Sequence, residues 1–328
     1  MSENNDYAIG FDMGGTKMLA AVLNAEYEVV AKNKEKTPSE AGNEEVFASI
    51  VECVDEVLEK AGVKRKNLCG IGIAIPGPID VANGIVYRTP NLGLLEFPLR
   101  DRLSEAIGVP VVLENDVNAG VYGEFVKGCA RGFLHVVGLF PGTGIGGGLI
   151  LDGKLYRGSR GAAGEIGHTI VQTDGPLCGC GSHGCLESVA SRTAIAKDVI
   201  GLAASGKAPY VFENAGTDIR KVKSGTLLKA IEAGDTAVAD VVYRAADFLG
   251  IGMANCVNIF NPEIIVLGGG LVEKFGAEYI ARADTSMRRH AMSHLVADVR
   301  IKAAILGDYA AIIGAAALVR ELGKTDAA

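Results

Sequence analysis

Short apolar runs broken by glycine turns open the chain. Tyr7–Asp12 and Met18–Leu23 flank the turn Asp12-Met-Gly-Gly-Thr-Lys17, a pattern that predicts the two strands of a β-hairpin. Beyond it the apolar period lengthens. Val46, Phe47, Ile50, Val51, Val54, Val57 and Leu58 recur at helical spacing and predict a helix over Glu44–Ala61, closed by Gly62. Leu68–Ile75 is a continuous apolar run ended by Pro76-Gly77-Pro78, which predicts a buried strand. The same reading places strands at Val111–Glu114, Phe133–Phe140, Gly147–Leu151, Ile264–Leu267 and Val299–Ile305. It places helices at Asn118–Val126, Leu186–Ile200, Thr236–Ile259 and Ala310–Leu322.

The unit strand, glycine turn, strand occurs twice, around Gly14-Gly15-Thr16 and around Gly142-Thr143-Gly144, 128 positions apart. The repetition predicts two similar α/β domains facing one cleft. Phe133–Leu151 carries no Asp, Glu, Lys or Arg, yet it holds Pro141 and six glycines, so it predicts two buried strands and a turn rather than a membrane span.

Composition narrows the class. Glycine makes up 44 of 328 residues, about 13 % against a usual ~7 %, without a collagen period. With 48 % apolar residues the chain is globular, and the glycines mark close backbone approaches. The net charge of −7 and the absence of a basic block argue against binding to nucleic acid or anionic lipid. The polar, acidic start Met1-Ser-Glu-Asn-Asn-Asp6 is unlike a signal peptide, so a cytoplasmic protein is expected.

Of seven cysteines, Cys53, Cys69, Cys129 and Cys256 are scattered in apolar surroundings, whereas Cys178, Cys180 and Cys185 crowd together. His168-x9-Cys178-x-Cys180-x4-Cys185 supplies the ligands of a closed Cys3His zinc site, with a structural role. Disulfide pairing is the alternative; it leaves one thiol over, and Cys178 and Cys180 are too close to bond easily. His183 is a substitute ligand within the same loop. Glu165 and Glu187 flank the cluster, and a metal-tethered loop would present both with the second nitrogen of His168, a set suited to sugar hydroxyls. Without the metal, each reads as a surface charge.

Both glycine turns can cradle phosphates with backbone N–H groups, helped by the Thr16 and Thr143 hydroxyls, and Asp12 can help hold Mg²⁺. Tight hairpin turns without a ligand fit the same residues. Gly142, Gly144 and Gly147 match G-x-G-x-x-G, but a strand follows instead of a helix, so a Rossmann site is not expected. Gly268-Gly269-Gly270 after the strand Ile264–Leu267 is a third loop where a nucleotide can approach, or a flexible connection. Glu114-Asn115-Asp116 ends a strand ahead of a helix, where ligands of open α/β sheets bind. There Asp116 can take a proton from an attacking hydroxyl while Asn115 orients a neighbour. Capping of the next helix by Asp116 or Asn118 is the competing role.

Together these residues resemble the ROK family (repressors, open reading frames and kinases) of the actin-like ATPase superfamily. The most specific segment is Glu165-Ile-Gly-His168 with Cys178-Gly-Cys-Gly-Ser-His-Gly-Cys-Leu-Glu187. The resemblance implies an α/β, two-lobed actin-like ATPase (ribonuclease H-like) fold with a cleft between lobes. Residues 1–117 and about 306–328 would form the small lobe, and 118–305 the larger, with a zinc loop at 165–187. It implies that Asp12, Gly14, Gly15, Thr16 and Lys17 form one phosphate loop and Gly142, Thr143 and Gly144 the other, with Gly268, Gly269 and Gly270 near the adenosine. It implies Zn²⁺ on His168, Cys178, Cys180 and Cys185, and sugar hydroxyls on Asn91, Asn115, Asp116, Glu165, His168 and Glu187, with Asp116 as base. The cofactors implied are ATP, Mg²⁺ and structural Zn²⁺, and the assembly a homodimer.

The first strand begins by Tyr7, which leaves no room for the N-terminal helix-turn-helix of the family's repressors. A kinase is therefore expected, acting on the 6-hydroxyl of a hexose, first glucose. N-acetylglucosamine, N-acetylmannosamine and fructose are the alternative acceptors, and a non-catalytic sugar sensor the alternative class.

Overall fold

The computed structural model describes residues 7–89 and 92–325. The chain divides into two units. Unit 1 comprises Met1–Gly132, Leu155–Ala163 and Ile305–Ala328; unit 2 comprises Phe133–Lys154 and Gly164–Ala304.

Unit 1 begins with β1 (Tyr7–Met13), β2 (Lys17–Leu23) and β3 (Val29–Lys36), an antiparallel meander, followed by α1 (Asn43–Ala61) and β4 (Leu68–Ile75). A small sheet of β5 (Ile79–Asp80), β6 (Ile85–Thr89) and β7 (Leu94–Phe97) precedes α2 (Leu99–Ile107), β8 (Val111–Asn115) and α3 (Asp116–Val126). The main sheet runs β3-β2-β1-β4-β8, with β4 parallel to both β1 and β8. Side-chain size alternates along its central strands. Ile9, Phe11 and Met13 of β1 and Ile71, Ile73 and Ile75 of β4 share a core with α1 and α2. The opposite face carries Ala8, Gly10, Gly72 and Ala74, and there the backbone of the C-terminal helix lies so close that a Cβ on Gly10 or Gly72 would strike the carbonyl oxygens of Ile312 and Ala315. Glycine is required at both places by proximity.

Unit 2 repeats the plan. β9 (Val136–Pro141), β10 (Ile145–Leu151) and β11 (Lys154–Leu155) are followed by α4 (Leu186–Ala190), α5 (Arg192–Ala204), α6 (Pro209–Ala215), α7 (Ser224–Glu232) and α8 (Thr236–Phe260). Then come β12 (Ile264–Leu267), α9 (Gly269–His290, kinked at Gly276), α10 (Ser293–Val296) and β13 (Arg300–Ala303). Its sheet runs β11-β10-β9-β12-β13, the order of unit 1, with β9 antiparallel to β10 and parallel to β12. The last described element is α11 (Ala310–Thr325), in unit 1.

The division falls at Gly132/Phe133 rather than between residues 117 and 118, because α3 crosses α11 at small residues, Ala119 and Gly123 meeting Ala310 and Gly314. The helix expected over Leu186–Ile200 is two helices: Ser191 leaves helical geometry and caps α5 by accepting from the Ala194 N–H at 3.1 Å. The strands β3, β5, β6, β7 and β11 and the helices α2, α6, α7, α9 and α10 carry weaker patterns that periodicity does not mark. Phe133–Leu151 is the β9–β10 hairpin, and no described helix is long and apolar enough to cross a membrane.

Candidate active site and metal centre

The turn 14–16 of unit 1 is tied down by its own backbone. The Gly14 N–H donates to the Lys17 carbonyl at 3.0 Å, and the Thr37 hydroxyl donates to the Gly14 carbonyl at 2.5 Å. Lys17 Nζ then pairs with Asp308 at 2.9 Å. Asp12, near the end of β1, has its carboxyl pushed up to about 6, first by burial and then by the negative charges of Asp116 and Asp308, against the opposing pull of Lys17. Three carboxylates within electrostatic reach of one lysine make a site short of positive charge. That donor set fits a hard divalent cation such as Mg²⁺.

Asp116 opens α3 directly after β8. The capping role falls to Asn115 rather than to Asp116 or Asn118: its Oδ1 accepts from Val117 N at 2.9 Å and Asn118 N at 3.1 Å. The Asn115 oxygen is thereby committed to backbone, and its amide NH₂ is the group left to meet a ligand. Asp116 Oδ1 also accepts from Val117 N, at 2.9 Å, so the first turn of the helix fixes its carboxylate.

In unit 2 the turn 142–144 is closed by a 2.8 Å bond from Gly142 N to the Gly144 carbonyl. Arg192 Nη2 donates to Thr143 Oγ1 at 2.5 Å, and Thr193 Oγ1 to the Thr143 carbonyl at 2.7 Å. Beside the turn lies a cavity of about 740 Å³ whose lining includes Gly142, Thr143, Arg192, Lys223, Lys229, Lys274 and Gly270. Four cations around a hydroxyl and a glycine turn suit a polyanion. Gly268 and Gly269 carry the chain from β12 into α9, and Gly270 brings that third loop to the cavity.

His168, Cys178, Cys180 and Cys185 gather with their ligand atoms all within 4.8 Å of one another. Cys180 Sγ lies 3.7 Å from Cys185 Sγ, and Cys178 Sγ 3.5 Å from His168 Nδ1. Tetrahedral zinc, with Zn–S ~2.3 Å and Zn–N ~2.0 Å, sets edges of about 3.8 Å for S···S and about 3.5 Å for S···N. The residues fit the ion. A disulfide would need the sulfurs at ~2.05 Å, and all four residues' thiols and ring are free of such a bond. The Cys180 thiol is drawn down to about 7, chiefly by the Ser182 backbone N–H, which favours the thiolate that a metal binds; burial pushes Cys185 up to about 12. His183 is outside the cluster, its Nδ1 against the Gly175 carbonyl at 3.1 Å.

The flanking carboxylates come to this cluster from both sides. Glu165 Oε2 lies 3.9 Å from His168 Nε2, the nitrogen turned away from the sulfurs. Glu187 Oε1 lies 3.9 Å from Cys178 Sγ, while its Oε2 accepts from Ile145 N at 2.9 Å and so ties α4 to the start of β10. Unit 2 thus holds Glu165, His168 and Glu187 as one connected set, and unit 1 holds Asp12, Asp116, Lys17 and Asp308 as another. Asn91 lies outside the described residues.

Residues 8–322 match the model of the ROK family. The chain belongs to the ROK family. It is 34 % identical to a glucokinase of Halalkalibacterium halodurans over 95 % of this chain and 94 % of that one. The crystal structure of a ROK family glucokinase from Streptomyces griseus in complex with glucose and AMPPNP superposes with a TM-score of 0.80 at 32 % identity, covering 96 % of this chain and 99 % of the other. A xylose repressor of Caldicellulosiruptor bescii is 29 % identical over 95 % of this chain and 77 % of its own. The ROK protein accordingly has the α/β actin-like ATPase fold of the family's sugar kinases.

Sequence patterns alone did not single out Lys223, Lys229, Lys274, Arg192 or Asp308 in this ROK protein. Each is a lone charge on a helix or loop, and only the fold carries it to a glycine turn.

Proposed function

We propose that this ROK protein is an ATP-dependent hexokinase that transfers the γ-phosphoryl group of ATP to the 6-hydroxyl of glucose. The observation that carries the reading is the pairing of Asp116 with Asp12 beside a glycine turn, close enough for one charge to raise the other's pKa, in a chain similar throughout to glucokinases. Asp116 accepts the proton of the 6-hydroxyl as its oxygen attacks the γ-phosphorus; the bond to the β-phosphate oxygen breaks and ADP leaves. Asn115, Glu165, His168 Nε2 and Glu187 hold the remaining hydroxyls. Gly14 and Gly142 close the two turns with their own N–H groups; Gly15, Thr16 and Lys17 meet phosphate on the first turn, and Thr143 and Gly144 with the cations of the unit 2 cavity on the second. Asp12 would hold Mg²⁺, which would supply charge neutralisation on the transferred group.

His168, Cys178, Cys180 and Cys185 would hold zinc, which would stiffen the loop that presents Glu165 and Glu187; four protein ligands would leave no position for water and give the ion a structural role. The reading includes a homodimer, as the family resemblance implies.

A coupled ADP-release assay over glucose, N-acetylglucosamine, N-acetylmannosamine and fructose tests the function. Glucose is expected to give the highest kcat/KM. Sugar binding without ADP release from any of them would replace the kinase by a sensor. Metal analysis of freshly purified, unchelated protein is expected to give one zinc per chain, and less than about half an equivalent removes the four-ligand site.

A further inference from the structure

Glu114 is the last residue but one of β8, and its side chain is only 1 % exposed. A carboxylate so buried is costly unless every lone pair is met. Here each oxygen has a defined partner. Oε1 accepts from Asn115 N and Asn118 Nδ2, both at 3.0 Å, and Oε2 accepts from Arg157 Nε at 2.6 Å. The first two bonds grip the residues on either side of Asp116. The third reaches forty-three positions along the chain, to the segment that follows β11.

Arg157 is also the head of a closed loop: its carbonyl accepts from Ala163 N at 3.0 Å, with Gly158 and Gly161 in left-handed conformations between. One residue past Ala163 the chain reaches Gly164 and then Glu165. A single ion pair, its carboxylate buried, therefore joins the Asn115-Asp116 turn to the closed loop 157–163 within unit 1.

We propose that Glu114 and Arg157 are a positioning pair for phosphoryl transfer, setting the orientation of Asp116 without touching substrate. The inference rests on the hexokinase reading. A misplacement of the base by about 1 Å is enough to cost on the order of 10²-fold in rate. Lysine at 157 keeps the charge but not the planar Nε–H donor, so it restores the pair only in part.

The experiment measures kcat and KM for glucose and ATP in the wild type, Arg157→Lys and Arg157→Ala, with circular dichroism to report folding. The wild-type assay comes first: no turnover on any hexose sinks the hexokinase reading itself. Given turnover, Arg157→Ala is expected to lower kcat about 10²-fold and Arg157→Lys about 10-fold, with KM for ATP unchanged. Because Arg157 is 32 % exposed, guanidinium in solution has access to the vacated space and should recover several-fold of the lost kcat, where sodium chloride should not. Wild-type kcat in folded Arg157→Lys overturns the positioning role. So does a loss in Arg157→Ala that follows only the folded fraction, with no guanidinium recovery. If Arg157→Ala does not fold, the kcat of Arg157→Lys decides by itself.

Discussion

Each unit joins the first two strands of its sheet through a three-residue turn, at 14–16 in unit 1 and 142–144 in unit 2, and the side chains gathered around the two turns carry opposite charge. Around the first stand Asp12, Asp116 and Asp308 with Lys17 alone opposing them. Around the second stand Arg192, Lys223, Lys229 and Lys274, with Glu273 the one acid lining the same cavity. The strand order is the same in both sheets, and so is the turn length. Topology therefore sets where a ligand can approach, at the tip of the central hairpin, and says nothing about its charge. That is decided by residues delivered from elsewhere: Asp308 from the turn before α11, Lys229 from α7, Lys274 from α9.

If the acidic turn serves base and cation while the basic turn serves phosphate, the two should fail differently. The largest effect is expected at Asp116. Asp116→Asn should fold, bind glucose with little change and lose about 10²–10⁴ in kcat; wild-type turnover would remove Asp116 from the chemistry.

Asp12 should register next, in stability. A carboxyl whose pKa rises from 3.8 unfolded to about 6 folded favours the folded state in its neutral form. That contribution is whole below pH ~4 and lost as pH climbs through 6, a swing of about 3 kcal/mol. Without added Mg²⁺, urea unfolding should show this fall between pH 4 and 7, and Asp12→Asn should flatten it. Added Mg²⁺ should recover stability at pH 7 in the wild type only. Equal pH slopes in the two proteins would deny Asp12 its burial cost.

The basic turn should give the smallest response. Lys274→Ala is expected to raise KM for ATP about tenfold, ~1.4 kcal/mol, at nearly unchanged kcat. A kcat loss with constant KM would move Lys274 from ground-state binding to the transferring phosphate and blur the contrast between the turns.

Much of this arrangement was legible along the chain because its signals are local. The Asp12–Lys17 hairpin, the Gly62 cap, whose φ is 65°, and the spacing of His168 with three cysteines each lie within a few residues or one loop. The metal cluster was readable for a further reason: few other arrangements use three thiols and an imidazole in eighteen positions. The helix break at Ser191 was not readable, since a serine within an apolar periodic stretch fits the middle of a helix as well as its start. Nor was the cap at Asn115, which competes with Asp116 and Asn118 in a run where all three can accept from backbone.

Periodicity, glycine turns and residue spacing were enough to mark two α/β units, their repeated hairpin, the cluster of His168 with three cysteines and Asp116 as one candidate base, because each depends on neighbours in sequence. The charge of each turn depends instead on side chains distant in sequence, Arg192 lying 49 positions from Thr143 and Asp308 lying 291 from Lys17. The partner of buried Glu114 is of the same kind. Electrostatics acts through space, and only the folded chain specifies which charges share it.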